Sequence, residues 1–280
     1  DDPITPFSFL TDASGLTNRA RCYLTYTNQE THRIIRDNLH LSPMVRGEIK
    51  GTGIRYCPSI EDKIRRFADK ERHQIFMEPE GLNHPEWYVQ GMSSSLPADV
   101  QWAMYRSVKG LSRVILTRLA YAIEYDCIDP TELRQTLESR RIKGLFCAGQ
   151  INGTSGYEEA AAQGIYAGIN AACSLSDKEP LLLRRDNSYI GVMVDDLIIK
   201  GIDEPYRMMT GRAEYRLLLR QDNADLRLTE LSYQRGLASE ARYRRTCEKM
   251  EASDKLTRRL EDTRVKPSKK RQAWLAEHGE

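Results

Sequence analysis

The chain has 280 residues, 40% of them hydrophobic and 29% charged, with 42 basic against 40 acidic side chains and a formal net charge of +2. A balance this close to neutral makes no general case for nucleic-acid binding, so any RNA-facing surface must be local. With no secretory signal and no apolar run near the roughly 18 residues of a membrane helix, the composition reads as a soluble cytoplasmic protein outside the membrane.

The six cysteines, at 22, 57, 127, 147, 173 and 247, show no C-x-x-C spacing and do not cluster with the five histidines, which argues against a metal site or a disulfide framework.

Residues 1–133 read as an α+β region. The runs Arg21 to Tyr26 and Gln74 to Glu78 suit strands, and Glu30 to Leu39 and Ser59 to Lys70 suit helices. His32, at the start of the first helix, is either a proton carrier or a hydrogen-bonded surface residue, and His73 reads as solvated. In Gly53-Ile-Arg-Tyr-Cys57-Pro58, Pro58 suits a first helical position with Cys57 as N-cap. There the helix dipole and nearby Arg55 or Lys63 would lower the thiol pKa toward a nucleophile's range; the alternative is a small buried apolar residue. Cys22, Cys127, Cys147, Cys173 and Cys247 read as structural or packing residues.

The next region, 134–180, carries the most informative stretch. Leu145, Phe146, Cys147 and Ala148 suit a short parallel strand covered on both faces. Gly149, Gly153 and Gly156 then allow a tight turn close to a ligand, and Ser155 with Glu158 fits a capping box for a helix running toward Ala172. The unpaired N–H groups of that helix suit a phosphate or a reduced flavin ring, with Gln150 and Asn152 as neutral partners. Equally, the glycines can serve helix-on-strand packing alone.

Ser176 to Pro180 reads as a linker, and residues 181–280 as a helical, charge-rich region with 21 basic against 17 acidic residues from Arg184 onward. A helix over Thr210 to Arg220 would set Arg212 and Arg216 on one face, near Arg207, as a stripe that tracks phosphates or as a solvated face paired with Glu214 and Asp222. The basic run Arg264 to Arg271 is a weaker RNA candidate. Asp195 and Asp196 point in different directions on any regular element, so no metal is proposed.

Five blocks, in this order, resemble the MnmG (GidA) family of tRNA uridine 5-carboxymethylaminomethyl modification enzymes: Cys22 to His32, Arg55 to Lys63, Gln150 to Gly164, Glu204 to Arg207 and Asp222 to Arg227. The resemblance implies an α/β protein, the second part of a doubly wound FAD-binding fold with an α+β NAD-binding insertion (1–133), a returning FAD-domain segment (134–180) and the start of a C-terminal helical domain (181–280). It implies FAD, NADH and methylene-tetrahydrofolate as cofactors, tRNA as substrate, a homodimer, and the GTPase MnmE as partner. Gln150 matches a flavin contact, with Gly149, Asn152, Gly153, Thr154 and Gly156 in the same turn. Cys57 matches a residue required for activity, and the nicotinamide segment comprises Gly53, Ile54, Arg55, Tyr56, Cys57, Pro58, Ser59, Ile60, Glu61, Asp62, Lys63, Ile64, Arg65, Arg66 and Phe67. Arg207, Arg212 and Arg216 are the tRNA candidates.

The family's pyrophosphate-binding G-x-G-x-x-G is absent, and Gly51-Thr-Gly53-Ile-Arg-Tyr56 ends in an aromatic instead. The chain is therefore expected to be an internal piece of a longer enzyme, inactive alone. Two other readings stand: the related folate- and FAD-dependent tRNA uracil methyltransferase, and a module that only binds RNA or a partner.

Overall fold

The structure, a computed structural model, describes residues 4–278 except 7, 9, 49–57 and 267. The chain separates into two compact units, Asp1–Arg185 with Tyr189–Arg212, and Asp186–Ser188 with Ala213–Glu280.

In the first unit, β1 (Tyr23–Tyr26), β2 (Gln74–Pro79) and β3 (Trp87–Gln90) form an antiparallel sheet in that order, with Tyr23 opposite Met77 and Met77 opposite Val89. β1 and β2 fall in the expected runs, whereas β3 is only four residues long and has no alternation to announce it. Helices α1 (Gln29–Asp37), α2 (Ile60–Arg66) and α3 (Ala98–Arg106) supply Ile35, Ile60, Ile64, Val100 and Met104 to a core that includes Ile75 of β2.

Each helix start has a local cause. The Asn28 side chain accepts from the Thr31 N–H at 3.0 Å while Asn28 N–H donates to the Thr31 hydroxyl at 3.4 Å, a reciprocal cap on α1. For α2 the cap is Ser59, whose hydroxyl accepts from Asp62 N–H at 3.3 Å. This corrects the expected N-cap at Cys57: a serine hydroxyl is the better acceptor for the first-turn amides, and the helix starts two residues later. Glu61 and Asp62 in the first turn, with Arg65 and Arg66 in the last, suit the helix dipole. Buried Gln101 of α3 anchors the extended segment after Leu111, donating to Ala120 O at 2.9 Å and accepting from its N–H at 2.8 Å.

α4 (Tyr157–Leu175) is the long helix of this unit, and Glu159, Gln163, Tyr166, Ala167, Asn170 and Cys173 form its buried stripe. The chain then folds back along it, with Leu181 N–H on Asn170 Oδ1 at 2.8 Å and Leu183 N–H on the Tyr166 hydroxyl at 3.4 Å. α5 (Tyr189–Asp195) continues into a wider π turn over Asp196–Lys200 and packs Met193 and Leu197 with Tyr206.

Three expectations fail here. Leu145 to Ala148 form no strand: Phe146 makes one antiparallel bridge to Glu138, and Leu145 is 43% exposed. A parallel ladder needs strands on its flanks, and the described residues offer only a tight loop, closed by Ser139 N–H on Leu145 O and Cys147 N–H on Leu137 O. The Ser155–Glu158 capping box is also absent. Gly156 is the N-cap, because Ser155 spends its backbone on the 204–207 segment and α4 starts one residue later. Thr210 to Arg220 is not a helix but a single 3₁₀ turn, Thr210–Arg212, followed by turns.

The second unit is a helical hairpin of α6 (Ala224–Gln234) and α7 (Glu240–Asp262), followed by α8 (Lys269–Glu277). Gly236, at φ +74°, ends α6, and the Ser239 hydroxyl caps α7. The Tyr233 and Tyr243 rings stack 4.3 Å apart, and Lys249 pairs with Asp225 at 2.8 Å.

Candidate cofactor cleft

The glycine-rich turn is built around one side chain. Gln163 of α4, fully buried, accepts from Gly149 N–H at 3.2 Å and Asn152 Nδ2 at 2.8 Å, and donates to the Thr154 hydroxyl at 2.9 Å and Glu159 O at 3.2 Å. Gly149 (φ +87°) and Gly153 (φ +82°) occupy the left-handed region, and a Cβ on Gly153 would overlap the Ile202 side chain. Here glycine is required by both conformation and space.

The second wall is the block Glu204 to Arg207. Thr154 and Tyr206 form a parallel bridge, with Tyr206 N–H on Gly153 O at 2.9 Å and Ser155 N–H on Tyr206 O at 3.1 Å. Arg207 donates to Ser155 O at 3.0 Å and lies 3.4 Å from Glu159, which also accepts from Met208 N–H at 2.8 Å. A Cβ on Gly156 would strike the Glu159 carboxylate and the Arg207 guanidinium. Behind this wall, Asp196 binds Arg185 at 2.8 Å, Lys200 at 2.6 Å and the Tyr206 hydroxyl at 2.9 Å. Burial alone would raise the Asp196 pKa, but these three hydrogen bonds outweigh it and hold the carboxyl below its ordinary value. Burial, with Asp196 opposite, pushes the Tyr206 hydroxyl up.

An open cleft of about 2050 Å³ runs along this turn. Gln150, Gly153 and Thr154 line one part of it, and Pro58, Ser59, Asp62 and Arg66 another. Gln150 is exposed and donates to Asp126 O at 2.9 Å, while Asn152 is fully buried behind it. The polar atoms Asn152 Oδ1, Ser155 Oγ and Glu159 Oε2 are buried with no hydrogen-bond partner.

Of the remaining predicted residues, Gly53, Ile54, Arg55, Tyr56 and Cys57 lie outside the described residues. Ile60 and Ile64 are core residues and do not line the cleft. Glu61 is buried, accepting from Ser95 N–H and hydroxyl at 2.8 Å each, and Lys63 donates to Gly91 O at 3.2 Å. Arg65 and Arg66 reach Asp62 at 4.0 and 3.0 Å, and Phe67 is exposed.

The arginine stripe is not formed. Arg207 is committed to Glu159 and Ser155, and the Arg212 guanidinium lies 4.2 Å from the centre of the Tyr206 ring and donates to Arg207 O. Arg216 is exposed, and Arg220 pairs with Asp222 at 3.0 Å.

Cys22 and Cys127 are also corrected, since both are exposed rather than packed, and Cys127 lines the cleft. His32, expected near the surface, is 1% exposed because its i, i+3 spacing with Ile35 turns it inward. His73 is half-buried with Nε2 lacking a partner. Among the described residues no three His, Cys, Asp or Glu gather as a metal site, and no helix is long and apolar enough to cross a membrane.

Gln163, Glu159 and Asp196 were missed as site-builders. The signal for the first two was present in the sequence as a polar stripe, Glu159, Gln163 and Asn170, at helical spacing.

The family described as "Glucose inhibited division protein A" matches residues 1–179. The chain belongs to that family. It is 61% identical over 279 residues to the tRNA uridine 5-carboxymethylaminomethyl modification enzyme MnmG of Caldicellulosiruptor saccharolyticus, and 57% identical to that of Clostridium botulinum strain Loch Maree, covering 100% of this chain and 44% of each relative. The chain thus spans less than half the length of these relatives. Among solved structures, Aquifex aeolicus GidA in its form I crystal superposes with a TM-score of 0.86 at 56% identity, over 95% of this chain and 45% of that one. The form II crystal gives 0.83 at 54% identity, over 95% and 43%. An α/β chain with a small sheet and many helices fits the fold of this GidA family.

Proposed function

We propose that the chain is the part of a tRNA wobble-uridine modification enzyme that brings a flavin and a nicotinamide together. The reading rests chiefly on one observation: a single cleft is lined both by the glycine turn and by the described part of the nicotinamide segment, Pro58, Ser59, Asp62 and Arg66. Its volume exceeds the roughly 300–1,000 Å³ of an ordinary small-molecule site, which suits two large ligands in contact.

The residues present fit FAD. Two glycines at positive φ allow close backbone approach, exposed Gln150 offers an amide to the ring, and Asn152 Oδ1 and Ser155 Oγ stand without partners. Gln150, Gly153 and Thr154 would hold the ring end, and Pro58, Ser59, Asp62 and Arg66 the nicotinamide. Bound there, FAD supplies electron transfer from NADH, and methylene-tetrahydrofolate supplies the one-carbon unit. The chain's own part is to orient: Gln163 fixes the turn, and Arg207 with Glu159 fixes the start of α4. Cys57 is the proposed nucleophile, acting either on the uracil ring or on the one-carbon unit. Arg207, Arg212 and Arg216 are the tRNA candidates, and of these Arg216 is exposed. The MnmE GTPase, a homodimer and a cytoplasmic setting follow from the family resemblance and belong to the same proposal.

The test is a full-length parent containing this chain, assayed by nucleoside mass spectrometry of its tRNA. A glycine- and GTPase-dependent substituent at the wobble 5-position is expected, and methylation without either rejects the proposal for the methyltransferase reading. Cys57→Ser in that parent should abolish modification while yellow flavin absorbance persists; retained modification returns Cys57 to a structural role. The 280-residue chain alone is expected to show no turnover.

A further inference from the structure

We infer that the overhanging end of the sheet, around Tyr23 and Trp87, is a stacking subsite for unpaired RNA bases. The inference takes its biological ligand from the tRNA reading above; Tyr23, Arg72 and Lys109 lie in a second groove, and Trp87 and Met77 line both that groove and the cofactor cleft.

On the face of the sheet that packs on the core, Ile75 is fully buried and Met77 and Val89 are half-buried. Register carries Tyr23 and Trp87 onto the same face, yet they remain 59% and 40% exposed. Their ring centroids lie 5.6 Å apart at an interplanar angle of 56°, flanking Met77 in a groove that Arg72 and Lys109 also line. The two rings rise from paired strands, so little ordering cost attends their use as a platform.

Charge favours a polyanion. Arg19 and Arg21, which lead into β1, and Lys109 are exposed and form no ion pair among the described residues, and the Arg72 guanidinium lies 4.1 Å from the centre of the Tyr26 ring. Against these four cations stand Glu71 in the groove and Glu80 and Glu86 near Trp87. This is the local basic surface that a net charge of +2 demands of an RNA binder. Aromatic faces beside backbone-tracking cations are the recurrent design of single-strand binding. A β-strand partner would bond along the backbone of β1 and leave the two rings uncovered, so the rings favour bases over an added strand.

Binding of a fluorescein-labelled single-stranded oligouridine to the 280-residue chain, followed by anisotropy across a salt series, tests this. Trp87→Leu and Tyr23→Leu should each weaken binding about tenfold, whereas Trp87→Phe, which keeps a ring and folds independently of the leucine result, should stay within about twofold. Lys109→Gln should lower the slope of log affinity against log salt by about 0.7. Equal affinity in wild type and the leucine variants, no recovery with phenylalanine, or preference for an extended peptide over oligouridine overturns the inference. In the full-length parent the two proposals separate. Unchanged KM for tRNA in Trp87→Leu sinks the subsite alone, while absence of uridine modification alongside Trp87-dependent oligouridine binding sinks the functional reading alone.

Discussion

Gln163 uses its whole hydrogen-bonding capacity, two bonds accepted from the turn, one donated to it at Thr154 and one donated to Glu159 O in its own helix, with no exposed surface. Replacing it by leucine preserves approximate size but leaves Gly149 N–H and the Thr154 hydroxyl buried without this partner. Each such orphan costs about 1–3 kcal/mol, so Gln163→Leu should destabilise the first unit by roughly 2–4 kcal/mol in urea unfolding. A loss under about 1 kcal/mol would show that the turn is held by its backbone bonds to Tyr206 instead. The residue-scale reading of the sequence found the glycines and Gln150, because positive φ and an exposed amide are legible in residue type. It could not find the Arg207–Glu159 pair, whose members lie 48 positions apart. An arginine's protein partner is set by tertiary structure, not by its neighbours in sequence, so the residue type of Arg207 offered no sign of this pair.

At the scale of elements, α4 shows how much a helix owes to one face. Tyr166 is 1% exposed and accepts from Leu183 N–H, whereas its neighbour Ile165 is 62% exposed. Tyr166→Ala should therefore cost about 3–5 kcal/mol, and Ile165→Ala less than about 0.5 kcal/mol, as read from unfolding midpoints of the 280-residue chain. Comparable losses would mean that the open face of α4 is covered in solution. The helix itself was legible from its alanine-rich run, and α1 from the helical pattern of Glu30 to Leu39. Leu145 to Ala148 misled because a short apolar run reports burial potential, while a strand also needs partners. Thr210 to Arg220 misled because periodic arginines mimic a helix face, yet Gly211 and the docking of Arg212 on Tyr206 favour a single turn.

For the molecule as a whole, acid sensitivity follows from two histidines in one corner of the first unit. The Thr27 hydroxyl lies 2.7 Å from His32 Nε2 and accepts from His73 N–H at 2.7 Å, joining the end of β1 to the start of β2, and the two rings are 5.3 Å apart. Burial lowers the pKa of His32 below 6.5, helped by His73 and Arg36, and burial lowers that of His73, helped by Lys63 and Lys70. In the unfolded chain both return to about 6.5 and bind protons more readily than in the native state. Their contribution to stability is thus complete above about pH 6.5 and is lost as pH falls through the lowered native values. Urea midpoints should fall between about pH 6.5 and 5, a window above most carboxylate titration, and His73→Gln should flatten that fall. A midpoint that is level across the window in the wild type, or equally steep in His73→Gln, would show that this corner stays closed when protonated.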